Sequence, residues 1–307
     1  MNGTKTEPTT MFGQTIEAPQ RRDKRVSKAR RPYSLSKVKG QYARSTRIES
    51  YTGFRSEEQP LSANTSIPAT LAEQQAKAEL YLDRFSLFTD YRHRGQNPYL
   101  NWLKTNPQLK AAAMNKFFNI WHPVSRHQPQ MLLQIAAACL DWRDRYFIMK
   151  NYLEEDGMVK LGDDPHYVLL EQLIIELGGK LEPDQEAEEL VSKFHDSLRR
   201  MTAAETTGIL AAIEHPALDI SDYFQQITRL SGRSDLTRTD PYLYIHVAVE
   251  PKHIIWSHGN ALDWMEDEEK QRKEGYTRND IVTAYQHSMK FWNEFWQIAF
   301  RKLGYPQ

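Results

Sequence analysis

Apolar residues in most of the chain recur at intervals of three and four, the spacing that puts them on one face of an α-helix. The first such run covers residues 71–90, where Thr70 is the expected N-cap and Glu73 occupies the N3 position. Prolines and capping residues start the later runs, which cover 107–121, 129–155, 165–178, 183–201, 202–215, 219–232, a helix from 241 onward, and 277–303. Alternation with period two is almost absent. The pattern therefore predicts an all-α domain over residues 71–307.

Residues 1–70 show no sustained apolar period and are rich in Thr, Ser, Pro, Gly and Arg. Such a segment buries too little surface to offset its ordering entropy, which predicts a largely disordered N-terminal tail. Within it, residues 21–47 hold eleven basic residues and one acid, Asp23. This basic stretch is typical of a solvated tail, and the alternatives are contact with nucleic acid, a membrane surface or an acidic partner.

Composition narrows the class of protein. The 307 residues carry 40 bases and 40 acids, and this balance argues against a dedicated nucleic-acid binder. We find no apolar run of the roughly 18 residues that a membrane helix needs and no secretory signal, so no membrane partner is expected. The single cysteine, Cys139, allows no intramolecular disulfide, and a reducing, cytoplasmic setting is the expectation.

The strongest chemical signal is the spacing His-x3-Glu-x2-His at His246, Glu250 and His253. At about 100° per residue, Glu250 lies about 40° and His253 about 20° from His246 around a helix. Two imidazoles and a carboxylate on one stripe are suitable ligands for Zn, Fe or Mn. The alternative is a solvated helical face with two incidental histidines. Pro251 removes one hydrogen bond and predicts a kink or a restart of the helix here.

Two further groups of residues have carboxylates at the C-terminal ends of predicted helices. Glu154 and Glu155 end a predicted helix, where the negative end of the helix dipole disfavours them, and His166 follows a short loop. A metal ion, water or an arginine would stabilise these acids. Glu214 ends an apolar run, and by itself it is as well explained as a helix-end carboxylate.

The order of these groups resembles that of the heme-oxygenase-like di-metal oxidases over about residues 75–303. That family has a Glu two residues before a Gly, then a His, then a Glu about thirty residues before a final His-x3-Asp-x2-His. Glu155, His166 and Glu214 match the first three positions. The chain departs from the family in Glu250, which replaces Asp, in Pro251, and in a longer gap between Glu155 and His166.

The resemblance implies an up-and-down bundle of about seven to nine helices that reacts with O2 at two metal ions. It implies two Fe(II) ions, with Mn as the alternative metal, and O2 as co-substrate. The implied reactions are N-oxygenation, desaturation or oxidative C–C or C–N cleavage of a small, amino-acid-like substrate. An external electron donor and a homodimer are compatible with it. The implied metal ligands, which are also the catalytic residues, are Glu155, His166, Glu214, His246, Glu250 and His253.

Weaker candidates and other functions stay open. Arg143, Arg145, Lys150 and His258 are candidates for substrate binding, against the simpler interpretation of solvated side chains. Three alternatives to a di-iron oxidase are a metal-free enzyme of the same fold (thiaminase-like or a cofactorless oxidase), a fatty-acid oxidative decarboxylase, and a helical binding module with a basic tail. Cys139 lies in an apolar stretch, where a buried, inert thiol is expected.

Overall fold

The computed structural model describes residues 71–88, 111–139, 141–158, 164–248 and 250–305. Every regular element in these ranges is helical, which confirms the all-α prediction. In chain order the helices are α1 (Leu71–Ser86), α2 (Ala111–Ala138), α3 (Trp142–Glu155), α4 (His166–Glu176), α5 (Gln185–Ser197), α6 (Ala203–Glu214), α7 (Ala217–Leu230), α8 (Leu236–Thr239), α9 (Pro241–Ala248), α10 (Glu250–Glu266), α11 (Glu268–Glu274) and α12 (Arg278–Leu303). The predicted tail, residues 1–70, and the predicted start of the second helix at Pro107 lie outside the described residues.

Side-chain caps start several helices where the sequence predicts them. The Thr202 hydroxyl accepts from the Glu205 backbone N–H, and the Glu205 carboxylate accepts from that of Thr202, a reciprocal capping box at α6. Asp184, one residue after the predicted start at Pro183, caps α5 through two backbone N–H groups. These caps satisfy donors that the first turn of a helix leaves without partners.

The prediction that Pro129 starts a helix reaching Glu155 is wrong. Helix α2 continues through both Pro123 and Pro129 and ends at Ala138, and α3 begins at Trp142. Each proline removes one helical hydrogen bond, but the apolar residues around them are buried, and this packing offsets the loss. At the end of α2 the guanidinium of Arg145 donates to the carbonyl of Cys139.

The helix predicted from residue 241 restarts next to Pro251, which is one of the two outcomes that this proline predicts. Helix α9 ends at Ala248 and α10 begins at Glu250, so that Pro251 lies in the first turn of α10, where a missing N–H costs little. The short helices α8 and α11 flank this segment. The described residues therefore contain more helices than the seven to nine expected, because short helices and breaks leave little trace in the apolar period.

Close packing of α6 against α12 fixes the position of the carboxyl end of α6. Gly208 in α6 lies against the backbone of α12, and a Cβ there would overlap the Ile281 carbonyl oxygen. Stacked and edge-on rings from α2, α7 and α12 fill the adjacent core: Phe117, Trp121, Tyr223, Phe224, Trp292, Phe295 and Trp296. Among the described helices, none combines the length and the apolar character needed to cross a membrane.

Candidate metal centre

Helix ends from five elements meet at one buried cluster of acids and histidines. Glu154 and Glu155 end α3, His166 begins α4, and Glu214 ends α6. The remaining members are His246 in α9, and Glu250 and His253 in the first turn of α10. The structure thus brings together all six residues that the sequence predicts as metal ligands, and also Glu154, which the sequence offers as an alternative to Glu155.

A close approach between the residue that follows α3 and those that precede α4 places His166 beside Glu155. Gly157 follows α3 with φ of +66°, and a Cβ at this position would overlap the backbone of Asp164. Only glycine accepts both this conformation and this close approach. As a result α4 starts beside the end of α3, and His166 Nδ1 lies 2.9 Å from Glu155 Oε2. Both side chains are buried.

His246 is held in one tautomer. Its Nδ1 donates to the carbonyl oxygen of Tyr242 at 2.7 Å, since a carbonyl can only accept. Its Nε2 faces the cluster, 3.9 Å from Glu250 Oε1. Burial, together with the neighbouring His166, lowers the pKa of His246 to about 4, so the ring is neutral at pH 7. A neutral imidazole whose second nitrogen is fixed by a backbone carbonyl is the usual form of a metal-binding histidine.

The second part of the cluster surrounds His253. Its Nδ1 lies 3.8 Å from Glu214 Oε2 and 3.7 Å from Glu250 Oε2. Its Nε2 donates to Glu154 Oε2 at 3.2 Å. One ligand atom from each of Glu214, Glu250 and His253 lies within 4.8 Å of the others, so this group could hold a metal ion. The Asn151 amide donates to Glu214 Oε1 at 2.9 Å and orients that carboxylate.

The electrostatics of the cluster call for positive charge. Burial raises the pKa of Glu250 to about 8, and neighbouring carboxylates add to the effect. The pKa of Glu214 is raised for the same reasons. Burial opposes a charge on His253, but its hydrogen bond to Glu154 and the nearby acids outweigh it and raise the pKa of His253 to about 10. A proton on His253 therefore balances acids that a cation would otherwise balance.

Glu155 is ionised in spite of its burial. Desolvation raises its pKa, but the adjacent His166 outweighs this and holds the pKa below its ordinary value. The same balance, with His253 as the partner, lowers the pKa of Glu154. Ionised carboxylates and neutral imidazole are the forms that bind metals.

A narrow cavity of about 20 Å³ adjoins the cluster. Glu155, Glu214, His246 and Glu250 line one side, and Ser125 and Gln128 contribute polar groups. The rest of the lining is apolar and is formed by Trp121, Ile213, Ala217, Ile220 and Trp292. This space holds about one water-sized molecule, so any larger substrate requires side chains to move.

The four weaker candidates lie in different settings. The side chain of Arg143 is outside the described residues, and Arg145 caps α2 instead of lining the cavity. Lys150 is partly buried near Glu154, and burial lowers its pKa. His258 is fully buried, which contradicts a surface position, and its ring contacts Ser257 and His215 rather than the cavity.

Some supporting residues were missed. Asn151 lies three residues before Glu154 on α3, so helical spacing alone could have placed it beside the acids. The role of the Tyr242 carbonyl leaves no signal, because every residue has a carbonyl. Burial raises the pKa of Cys139 to about 11, in agreement with an inert thiol.

Comparison with known proteins adds no assignment: no family model matches the chain, and no curated protein matches it significantly.

Proposed function

We propose that the protein is a non-haem di-iron oxidase or oxygenase of the heme-oxygenase-like class, acting with O2 on a small, amino-acid-like substrate. The observation that carries this proposal is the meeting of Glu155, His166, Glu214, His246, Glu250 and His253 in one buried cluster. Burying these acids and histidines together costs free energy, and a bound cation would offset more of that cost than the pairs among them do. Mixed carboxylate and imidazole donors suit non-haem iron, with manganese as the alternative.

The donors fall into two neighbouring groups, which supports two ions rather than one. Glu155, His166 and His246 would hold the first ion, and Glu214 and His253 the second. Glu250 lies between them, 3.9 Å from His246 Nε2 and 3.7 Å from His253 Nδ1, and would bridge both. Glu250 and His253 also have the Glu-x-x-His spacing that di-metal sites in helical bundles use.

Iron, when bound, would supply the reaction with O2, and the protein would supply positioning and protection from water. The Tyr242 carbonyl keeps the His246 Nδ1 protonated and leaves Nε2 to bind. Asn151 holds Glu214 through one carboxylate oxygen and leaves the other for the metal. Glu154 accepts the Nε2 proton of His253, so loss of the Nδ1 proton exposes that nitrogen as a ligand.

The substrate class rests on the surroundings of the cluster. The cavity must enlarge for any substrate, and a small substrate requires less enlargement than a fatty acid does. Lys150, beside Glu154, offers a cation to a substrate carboxylate. The apolar wall, which includes Trp121 and Trp292, keeps water from the reacting atoms.

The test is O2 consumption by the Fe(II)-loaded full-length protein with panels of amino acids and fatty acids. We expect substrate-dependent O2 uptake that Glu155→Ala and His246→Ala abolish. The control is His287→Ala, which removes an exposed histidine of α12. Uptake that continues in the metal-free protein and in both cluster variants would favour a cofactorless enzyme. If no substrate causes O2 uptake and the protein binds no iron, the result would favour a helical binding module.

A further inference from the structure

A second pair of histidines lies between α2 and α5, away from the acidic cluster. His127 Nδ1 and His195 Nδ1 face each other at 3.4 Å, with the ring planes inclined at 71°. His127 is 17% exposed, so ions in solution can reach the pair. Neither residue lines the cavity at the cluster or contacts one of its members among the described contacts.

The outer nitrogen of each ring is held by a polar side chain. His127 Nε2 donates to Glu188 Oε1 at 2.9 Å, because a carboxylate can only accept. This bond fixes the tautomer that leaves a lone pair on His127 Nδ1. His195 Nε2 lies 2.7 Å from the amide of Gln134. Because the Gln134 Nε2 group donates, His195 Nε2 accepts, and the His195 proton lies on Nδ1 in the metal-free protein. A metal ion would displace this proton to Nε2, where the Gln134 oxygen can accept it after the amide rotates.

The distance between the two inner nitrogens fits a metal better than a hydrogen bond. A direct N–H···N bond of 3.4 Å is longer than the usual range. Two nitrogens bound to one tetrahedral zinc at 2.0–2.1 Å are separated by about 3.3 Å. The Glu188–His127 bond reproduces the carboxylate–histidine support that zinc-bound imidazoles commonly have. Burial and the neighbouring His127 lower the pKa of His195, which keeps that ring in its neutral, ligand form.

Two oxygens beside the pair also lack hydrogen-bond partners among the described residues. These two oxygens are Glu188 Oε2 and Gln134 Oε1, and both atoms are buried. A cation between the rings would attract Glu188 Oε2 directly or through bound water. The Gln134 oxygen would gain the Nε2 proton of His195 as its partner when the amide rotates.

We propose that His127 and His195 form a second metal site, for Zn²⁺ or a similar late first-row divalent ion. Solvent completes the coordination. The ion links α2 to α5, and because it binds the folded protein, it stabilises that state.

The test is Zn²⁺ binding by the full-length protein, measured by competition with a chromophoric chelator. Four variants separate the sites: His127→Gln, His195→Gln, Glu250→Gln for the acidic cluster, and His287→Gln as an exposed control. We expect His127→Gln and His195→Gln each to weaken one Zn²⁺ equivalent at least tenfold. We expect Glu250→Gln and His287→Gln to retain that equivalent. Glu188→Gln, which alters the support of His127, should weaken it by about 10–100-fold.

Glutamine keeps a polar side chain, so we expect the metal-free variants to melt like the wild type. Added Zn²⁺ should raise the melting temperature of Glu250→Gln, and combining Glu250→Gln with His195→Gln should abolish that rise. The proposal is overturned if both histidine variants bind Zn²⁺ as tightly as His287→Gln does. It is also overturned if Glu250→Gln binds no Zn²⁺. Both results are independent of O2 chemistry at the acidic cluster.

Discussion

Replacement of Gly208 by alanine should push α6 away from α12. The added Cβ would overlap the Ile281 carbonyl oxygen and would lie 3.1 Å from the Ile281 carbonyl carbon and 3.2 Å from the Tyr285 nitrogen. These atoms belong to the α12 backbone and cannot turn aside as a flexible side chain can. The helices must therefore separate by roughly 1 Å to restore ordinary contacts.

The energetic terms oppose each other. Overpacking a well-filled interface costs about 1–3 kcal/mol, whereas alanine gains about 1 kcal/mol over glycine inside a helix. We expect Gly208→Ala to lose up to about 2 kcal/mol of unfolding free energy. Because α6 ends in Glu214, the same shift should also weaken metal binding at the cluster.

Gly259 in α10 is a matched control, since a Cβ there meets nothing nearer than the Tyr81 hydroxyl at 3.8 Å. Gly259→Ala should gain about 0.4–1 kcal/mol. Urea unfolding of the metal-free proteins, followed by circular dichroism at 222 nm, measures both changes. If Gly208→Ala is as stable as Gly259→Ala, the backbones of α6 and α12 are farther apart than they are in the structure.

Three further predictions concern single side chains. Tyr242→Phe leaves the buried Trp121 Nε1 without its acceptor and should lower the free energy of unfolding in urea by about 1–3 kcal/mol. Metal binding should be kept, because the backbone carbonyl of residue 242 still holds His246, and a loss of metal affinity as large as the loss of stability would contradict this. The pKa of Glu250 is about 8 in the folded protein and 4.5 ordinarily, so between these pH values the folded metal-free protein binds more protons than the unfolded chain and should lose stability as pH rises from 5 to 8. Glu250→Gln should reduce this dependence of the melting temperature on pH, and an unchanged dependence would count against the assignment. Cys139 should react with a thiol reagent at pH 8 only after unfolding, and rapid labelling of the native protein would show that the thiol is accessible.

The sequence predicts the long amphipathic helices well, because their faces leave a regular apolar period. The capping box at Thr202 and Glu205 and the cap at Thr277 mark true helix starts. Proline misleads at Pro129, where burial of the surrounding residues keeps α2 continuous. Local patterns do not report such tertiary packing, so the end of α2 at Ala138 could not be predicted.

The sequence predicts which residues form the cluster but not how those residues pair within it. Spacing groups His246, Glu250 and His253, since helical neighbours three and four apart share a face. The pairing of Glu155 with His166 depends on Gly157 and the close approach of Asp164, which only the structure shows. His258 illustrates the limit in the other direction, because its spacing does not reveal whether it faces solvent or the core.

The most direct test of the proposed di-iron centre is an anaerobic Fe(II) titration of the metal-free, full-length protein, with bound iron counted and its environment followed by Mössbauer spectroscopy. Glu250→Ala is the matched variant, because Glu250 lies between the two proposed ligand groups. The account predicts about two irons per chain in the wild type and a clear loss in the variant. Well under one iron per chain in the wild type, or equal binding by Glu250→Ala, would contradict it.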